Sequence, residues 1–311
     1  MITFLNHTGI DKHRWDDCIS RSPNRRVYAY SWYLDIVCPG WNALVEDDYT
    51  SVFPLTCHRK WGISYLYQPY FTQQLGIFSV HAVTKEKVGC FIEAIPSEFR
   101  FVEIHLNSMN EFDASEGVMI RRVNHELNIS SGYHELSGKF AQNTRRNIRK
   151  SVEMNVKPLS GVGVDDLIAL FRDNFGLREG KLRSRHYQIL RDLILHCSER
   201  GMGQIAGVAD ANGLLSAAAF FLRDRERVYF LFAASSRHAR ANGAMFSLID
   251  RFLAENAGKY QVLDFEGGND PNLGRFYRSF GAEEVYYPSL HINRLPGAVN
   301  GMLNFIRKLR R

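Results

Sequence analysis

The chain has 311 residues, 45% of them hydrophobic and 13% aromatic, which is enough for two packed domains of ordinary size. Its net charge of +6 and pI near 9.0 suit a phosphate-bearing cofactor, nucleic acid or a membrane surface, or simply solubility. Five scattered cysteines without CxxC spacing argue against a disulfide framework or a zinc knuckle. Because the sequence has no signal-peptide pattern and no apolar run near the ~18 residues of a membrane helix, we expect a cytoplasmic protein.

The first half of the chain predicts a mixed α/β unit. Residues 11–38 carry two short helical patterns. Runs of β-branched and aromatic residues, separated by turn residues, then predict strands. These runs are 41–45, 51–57, 63–67, 99–106 and 118–129. We find no chemical motif in this half.

Residues 140–155 predict a bridge helix between two domains. Phe140, Thr144, Ile148 and Val152 recur every four residues and so form one stripe along the helix. Its other faces carry four cations, Arg145, Arg146, Arg149 and Lys150. These cations either bind phosphates of a partner such as tRNA or form a solvated face.

The second half predicts the order β-α-α-β-β-β-α-β-α-β. The predicted strands are 156–159, 203–209, 214–222, 227–234, 260–265 and 284–292, and the predicted helices are 164–175, 185–199, 243–256 and 272–280. Asn212-Gly213 predicts a hairpin turn, because this pair readily adopts positive φ angles. The basic loop between the first two helices holds Arg178, Lys181 and Arg183, which are candidates for holding an anionic acceptor.

A strand runs directly into a glycine-containing helix start near residue 243. The unpaired N–H groups and the positive dipole end of such a turn bind anions. The candidate binding residues are Ser235, Arg240, Asn242, Gly243 and Ala244. The alternative is an ordinary helix cap.

Asp264 and Glu266 stand at the end of a predicted strand, where ligands of α/β sheets usually bind. Either carboxylate is a candidate general base for an attacking amine, although Asp264 alternatively caps the following segment. Tyr277 lies in the last predicted helix. Its phenol, with a reference pKa near ~10, can protonate a departing thiolate whose conjugate acid has a pKa near ~8.5. The three residues are the candidate catalytic set.

These features resemble the GNAT acyltransferase superfamily. Residues 240–244 are similar to its pyrophosphate loop, Gln/Arg-x-x-Gly-x-Gly/Ala, with Met245 where the family has Gly or Ala. Phe276-Tyr277-x-x-x-Gly281 is similar to its helix whose tyrosine lies near the departing sulfur. The resemblance implies an α/β fold with a mixed α+β sheet, acetyl-CoA or another acyl-CoA as co-substrate, and a small-molecule or peptide-like amine as acceptor. We assign no metal, because the histidines show no HxxxH or HExxH spacing.

The chain also resembles the tandem-domain Fem-type transferases. Residues 143–150 are similar to their Arg-x-x-Ile-Arg-Lys bridge helix. The resemblance implies an alternative reaction, in which an amino acid passes from aminoacyl-tRNA to a peptidoglycan precursor. Fem enzymes typically have Lys at the position of Tyr277 and a helical arm with no counterpart in this sequence, which favours GNAT-like transfer from CoA. A second alternative, suggested by Met245, is a non-catalytic binding protein on a GNAT scaffold.

The predicted organisation is two GNAT-like domains in tandem. Residues 1–138 form a degenerate domain completed by 294–311, residues 139–155 form the bridge helix, and residues 156–293 form the acyltransferase domain. Val299, Met302, Leu303 and Ile306 make an apolar stripe in the C-terminal tail, which ends in four cations. We expect this tail to dock onto the first domain, with peripheral membrane contact as the alternative.

Overall fold

The computed structural model describes residues 1–112, 119–176 and 182–295. The chain forms two compact units, Met1–Arg122 with the described part of Tyr286–Arg311, and Val123–Val285. That the first unit is a degenerate GNAT-like domain stays a prediction. The predicted C-terminal tail lies outside the described residues.

The first unit contains two small sheets in its described part. The first sheet has the order β1-β2-β3-β6, with β1 (Ile2–Leu5), β2 (Asn42–Glu46), β3 (Ser51–Leu55) and β6 (Phe78–Ser79). The second has the order β4-β5-β7-β14, with β4 (Cys57–Lys60), β5 (Ile63–Tyr67), β7 (Phe99–His105) and β14 (Glu283–Asn293), whose residues from 286 onward belong to this unit. The pair β5–β7 is parallel.

The helices of the first unit are α1 (Lys12–Arg21), α2 (Ser31–Val37) and α3 (Lys85–Glu93). Asp11 caps α1 by accepting the N–H of Arg14, and Thr84 caps α3 in the same way. The indoles of Trp15 and Trp41 are fully buried and lie 4.7 Å apart between ring centroids. Aromatic packing thus supplies much of this core.

The second unit is built on six strands in the order β8-β13-β12-β11-β10-β9. They are β8 (Met119–Asn128), which enters this unit at Val123, β9 (Lys157–Leu159), β10 (Gly203–Ala209), β11 (Leu215–Asp224), β12 (Arg227–Ser235) and β13 (Val262–Asp264). The pair β12–β13 is parallel and the other pairs are antiparallel. The β12–β13 crossover runs through a helix, as parallel strands require.

The helices of this unit are α4 (Tyr133–Gly138), α5 (Gln142–Glu153), α6 (Val164–Phe171), α7 (Ser184–Glu199), α8 (Ala239–Asn242), α9 (Ala244–Asn256) and α10 (Pro271–Arg278). The element order from β9 to β14 agrees with the predicted order, with α8 as an additional short turn. The helix predicted over 164–175 is shorter, because the chain continues as a π-helix over Arg172–Gly176. In the predicted hairpin turn only Gly213 has a positive φ.

The bridge helix α5 packs differently from its predicted stripe. Phe140 and Thr144 are buried as expected, whereas the side chain of Val152 is 73% exposed and Ser151 is buried in its place. The Thr144 hydroxyl donates to the carbonyl of Ser279, at the end of α10. This contact holds the start of α5 against the helix that carries Tyr277. No helix among the described residues has the length and apolarity needed to cross a membrane.

Candidate active site

An opening in the sheet of the second unit lies between β12 and β13. The two strands pair at three positions, the last being Tyr229 with Asp264. β13 ends there, while β12 continues to Ser235. The edge of β12 over residues 230–235 is therefore not used by β13, and we call this edge together with residues 265–267 the strand gap. A strand edge that no neighbouring strand pairs with offers backbone donors and acceptors to a ligand.

The chain leaves β13 through a loop that is fixed to β8 by side-chain contacts. The side chain of Asn124 donates to Asp264 (2.8 Å) and accepts the N–H of Gly267 (3.2 Å). The His125 ring shares a hydrogen bond with the carbonyl of Gly267 (3.0 Å). Since a carbonyl only accepts, Nδ1 of His125 is the protonated ring nitrogen in this contact. Two consecutive residues of β8 thus fix the position of this loop.

The glycines of this loop and of α10 make room for the His125 ring. Gly268 has a φ of +152°, and a Cβ placed on it would lie 2.2 Å from Nδ1 of His125. A Cβ on Gly274 would lie 3.0 Å from Cε1 of the same ring. Gly268 therefore requires glycine, whereas a side chain on Gly274 would need the fully buried ring of His125 to shift by a few tenths of an ångström.

Asp264 is fully buried and accepts hydrogen bonds from three groups. Its donors are the Asn124 amide, the Arg227 guanidinium (2.8 Å) and the backbone N–H of Glu266 (2.9 Å). Burial raises the pKa of the Asp264 carboxyl, and the charge of Arg227 opposes that shift. Burial would lower the pKa of the Arg227 guanidinium, but the neighbouring carboxylates of Asp264 and Glu126 raise it overall. The carboxylate of Asp264 thus holds the loop through its hydrogen bonds, and none of its surface is exposed.

Tyr277 packs against Phe265 and Gly267 of the strand gap. Its ring stacks on Phe265 at 4.5 Å with an interplanar angle of 16°, and Phe265 in turn contacts Phe230 of β12 edge-to-face. A Cβ on Gly267 would lie 3.7 Å from the Tyr277 hydroxyl, so the phenol faces this loop. The residue is 6% exposed, and within the described chain its hydroxyl has no hydrogen-bond partner. The hydroxyl is not among the fully buried polar atoms that lack a partner, so its oxygen is open to solvent or to a ligand.

Glu266 adopts a left-handed backbone conformation, with a φ of +52°. This conformation is uncommon for a residue with a side chain, and the hydrogen bond from its N–H to Asp264 holds it. The side chain is half-buried. Burial raises the pKa of the Tyr277 phenol, and the charges of Glu266 and Asp270 raise it further. Of the two predicted carboxylates, Asp264 and Glu266, it is therefore Glu266 whose charge raises the pKa of Tyr277.

The predicted anion-binding turn is closed by its own hydrogen bonds. The N–H of Gly243 donates to the carbonyl of Ala239, and the N–H of Ala244 donates to the side chain of Asn242 (3.0 Å). A Cβ on Gly243 would lie 2.5 Å from the carbonyl oxygen of Asn147, so α5 packs directly on this turn. The left-handed Gly243 (φ +70°) permits this approach.

The other predicted binding residues lie apart from this turn. Ser235 ends β12 at the strand gap, and Arg240 is exposed on α8. Arg183 precedes α7 and lines a cavity of about 570 Å³ together with Arg172 and Tyr187. Arg178 and Lys181 lie outside the described residues.

The sequence analysis did not identify Asn124, His125 and Arg227. Each is a buried or half-buried polar residue in a strand, which is the signal available in the sequence. Among the described residues no cluster of His, Cys, Asp or Glu has an arrangement that fits a metal ion.

Part of the second unit matches a known domain profile. Residues 138–276 match the profile of the "Acetyltransferase (GNAT) domain". No curated protein sequence matches the chain significantly.

Solved structures show the same fold at low sequence identity. The structure titled FemX is 13% identical, with a TM-score of 0.64 over 94% of this chain and 98% of that chain. L-PGS from Bacillus licheniformis is 10% identical, with a TM-score of 0.52 over 96% of each chain. A tandem GNAT protein from the clavulanic acid biosynthesis pathway is 11% identical, with a TM-score of 0.51 over 96% of this chain and 100% of that chain.

These similarities confirm the predicted α/β fold with tandem GNAT-like domains. Residues 138–276 contain the strand gap and the loop after β13, and they end one residue before Tyr277. The segment that matches the GNAT profile thus lies within the second unit, and the chain as a whole is similar in fold to FemX and to the tandem GNAT protein.

Proposed function

We propose that this protein is an N-acyltransferase that moves an acyl group from a CoA thioester to an amine at the strand gap. The observation that carries the proposal is the position of the Tyr277 hydroxyl, which has no hydrogen-bond partner in the described chain and lies beside Gly267 and near Glu266. A phenol held in this way is suited to donate a proton to a leaving group.

In the proposed reaction, the side chains of Glu266 and Tyr277 carry the two proton transfers. The amine nitrogen attacks the thioester carbonyl, and a new C–N bond replaces the C–S bond. Glu266 takes the proton from the attacking nitrogen, and Tyr277 donates its proton to the departing sulfur. The proton on Glu266 then restores the phenol. Backbone N–H groups along the free edge of β12 stabilise the oxyanion of the tetrahedral intermediate.

The roles assigned to the predicted residues change in two places. Asp264 positions Glu266 through its backbone N–H, so Glu266 is the proposed base. Arg183, beside Arg172 in the cavity near α7, is the proposed contact for an anionic group of the acceptor. We expect the reaction to take place in the cytoplasm.

A Fem-type transfer from aminoacyl-tRNA is the second candidate. The turn at Gly243 favours it, because the N–H groups of Gly243 and Ala244, which were expected to hold a CoA pyrophosphate, are engaged within the turn. Four exposed cations of α5, Arg145, Arg146, Arg149 and Lys150, have no ion-pair partner in the described chain. Phosphate contacts by such residues make binding strongly dependent on salt.

The test measures donor use directly. Purified protein is supplied with acetyl-CoA and a panel of amines, and CoA release is followed as new thiol above a control without amine. We expect amine-dependent release that is lost in Tyr277→Phe and kept in Tyr133→Phe, whose hydroxyl bonds to Asp250 elsewhere in the unit. Absence of CoA binding, with salt-dependent binding of aminoacyl-tRNA, would establish the second candidate. Binding of neither donor would identify a non-catalytic protein on this scaffold.

A further inference from the structure

The hairpin formed by β4 and β5 ends in an exposed tryptophan. Trp61 is 71% exposed, whereas Trp15 and Trp41 are fully buried and Trp32 is half-buried. The two-residue turn consists of Trp61 and Gly62, with φ angles of +51° and +77°. Such turns favour Asn-Gly, because both central residues have positive φ, and a bulky side chain in the first position is strained. Neither packing nor turn geometry accounts for the indole.

The surroundings of Trp61 are cationic. Arg59 and Lys60 are exposed, and neither has a carboxylate partner in the described chain. The ammonium of Lys60 lies 4.5 Å from the centroid of the indole. Residues 56–74 contain no Asp or Glu. Two acidic residues lie near the end of the hairpin that is far from the turn: Glu98 acts on Cys57, and Glu103 is in register with Tyr67.

Further amphipathic rings lie behind the turn on one face of the hairpin. His58 contacts Tyr65 and Tyr67 with centroid distances of 5.7 and 6.4 Å. Tyr65 lies directly across the ladder from His58. The hairpin therefore carries an indole at its tip, cations beside it, and tyrosines further back.

We infer that this hairpin docks on an anionic membrane surface, with Trp61 entering the headgroup region and Arg59 and Lys60 contacting lipid phosphates. Tryptophan and tyrosine suit that region because each combines an apolar ring with a polar group. Basic residues near the surface add electrostatic attraction to anionic lipids. A single-stranded nucleic acid fits less well, since Lys60 already covers one face of the indole on which a base would stack. This inference does not depend on the proposed acyl transfer.

The test uses the full chain and vesicles of phosphatidylcholine, alone or mixed with phosphatidylglycerol. We expect sedimentation with the anionic vesicles only, together with a blue shift of tryptophan emission. Trp61→Asn should weaken binding by at least about tenfold, because the indole no longer enters the interface. It should not lower the melting temperature, since asparagine prefers this turn position. Arg59→Gln and Lys60→Gln should each weaken binding by about fivefold at low salt.

Leu214→Asn is the matched control. Leu214 is 66% exposed at the hairpin between β10 and β11, and its replacement should leave vesicle binding unchanged. The inference fails if the wild type binds neither vesicle, if Trp61→Asn binds as the wild type does, or if Leu214→Asn loses as much. Binding of a single-stranded oligonucleotide that depends on Trp61, without vesicle binding, would also overturn it.

Discussion

The carbonyl oxygen of Asn147 lies where a side chain on Gly243 would have to go, 2.5 Å from the position of a Cβ. Gly243→Ala therefore combines an unfavourable positive φ with a backbone clash. Gly213→Ala is the control, because Gly213 has a φ of +80° with open space around it. We expect Gly213→Ala to cost about 1 kcal/mol and Gly243→Ala about 1–3 kcal/mol more, measured by denaturant unfolding. Equal losses would show that α5 does not pack on this turn in solution.

Replacing Tyr277 with Phe removes the proposed proton donor while keeping the stack on Phe265. We expect kcat to fall by about 10²–10⁴, with the melting temperature within a few degrees of the wild type. Steady-state kinetics with the acetyl donor would measure the change. Turnover equal to that of the wild type at every pH would rule out acid catalysis by this residue.

The pH profile offers a separate check on Tyr277. Burial and the charges of Glu266 and Asp270 raise the pKa of its phenol, so the protonated form persists above its ordinary pKa near ~10. We expect kcat to show no decline from ionisation of this phenol as the pH rises towards 10. A basic limb near pH 9 that disappears in Tyr277→Phe would contradict the upward shift.

Breaking the ion pair between Asp264 and Arg227 should destabilise the second unit. Asp264→Asn leaves the guanidinium of Arg227 with one carboxylate fewer in a buried site, at an expected cost of about 3–5 kcal/mol. Asp17→Asn, which breaks an exposed pair with Arg21, should cost less than about 1 kcal/mol. Chemical denaturation measures both. A small loss for Asp264→Asn would mean that the carboxyl is already protonated in the native protein.

His105 predicts a pH dependence of stability in the first unit. Burial, aided by the charge of Arg122, lowers the pKa of the imidazole to about 4. Between that pH and about 6.5 the unfolded chain binds a proton that the folded chain does not, so stability is lost as the pH falls through this range. We expect His105→Gln to reduce that loss by about 2 kcal/mol in unfolding experiments at pH 4.5 and 7. An unchanged difference between the two pH values would exclude His105 as its source.

The local sequence pattern predicted most elements of the second unit, because the alternation of apolar and polar residues and the turn residues both involve positions that are close in sequence. β10 has its predicted limits, and the hairpin at Gly213 is present. The predicted apolar stripe of α5 was wrong at Val152, which is exposed because the end of the helix does not pack on the core. Contacts between residues that are far apart in sequence could not be predicted from these local patterns.

Two contacts illustrate this limit. Asn124 reaches Asp264 across 140 positions, and no local pattern identifies that pair. At Gly243 the sequence indicated an anion-binding turn, but the same left-handed glycine permits close packing of a helix. A left-handed glycine is compatible with an anion-binding turn and with close helix packing, so the sequence alone did not distinguish these two roles. Tyr277 was identified because its motif is local, and its unpartnered hydroxyl became visible only in three dimensions.

The two residues of β8 that hold the loop after β13 lie upstream of the segment that matches the GNAT profile. Asn124 and His125 precede residue 138, yet they hold Asp264, Gly267 and the path of the chain into α10. A recombinant fragment cut at the profile's start would lose one donor to the Asp264 carboxylate and leave a vacant space between Gly268 and Gly274. A fragment that keeps these contacts must therefore begin at or before Val123, where the second compact unit begins, and not at the start of the profile.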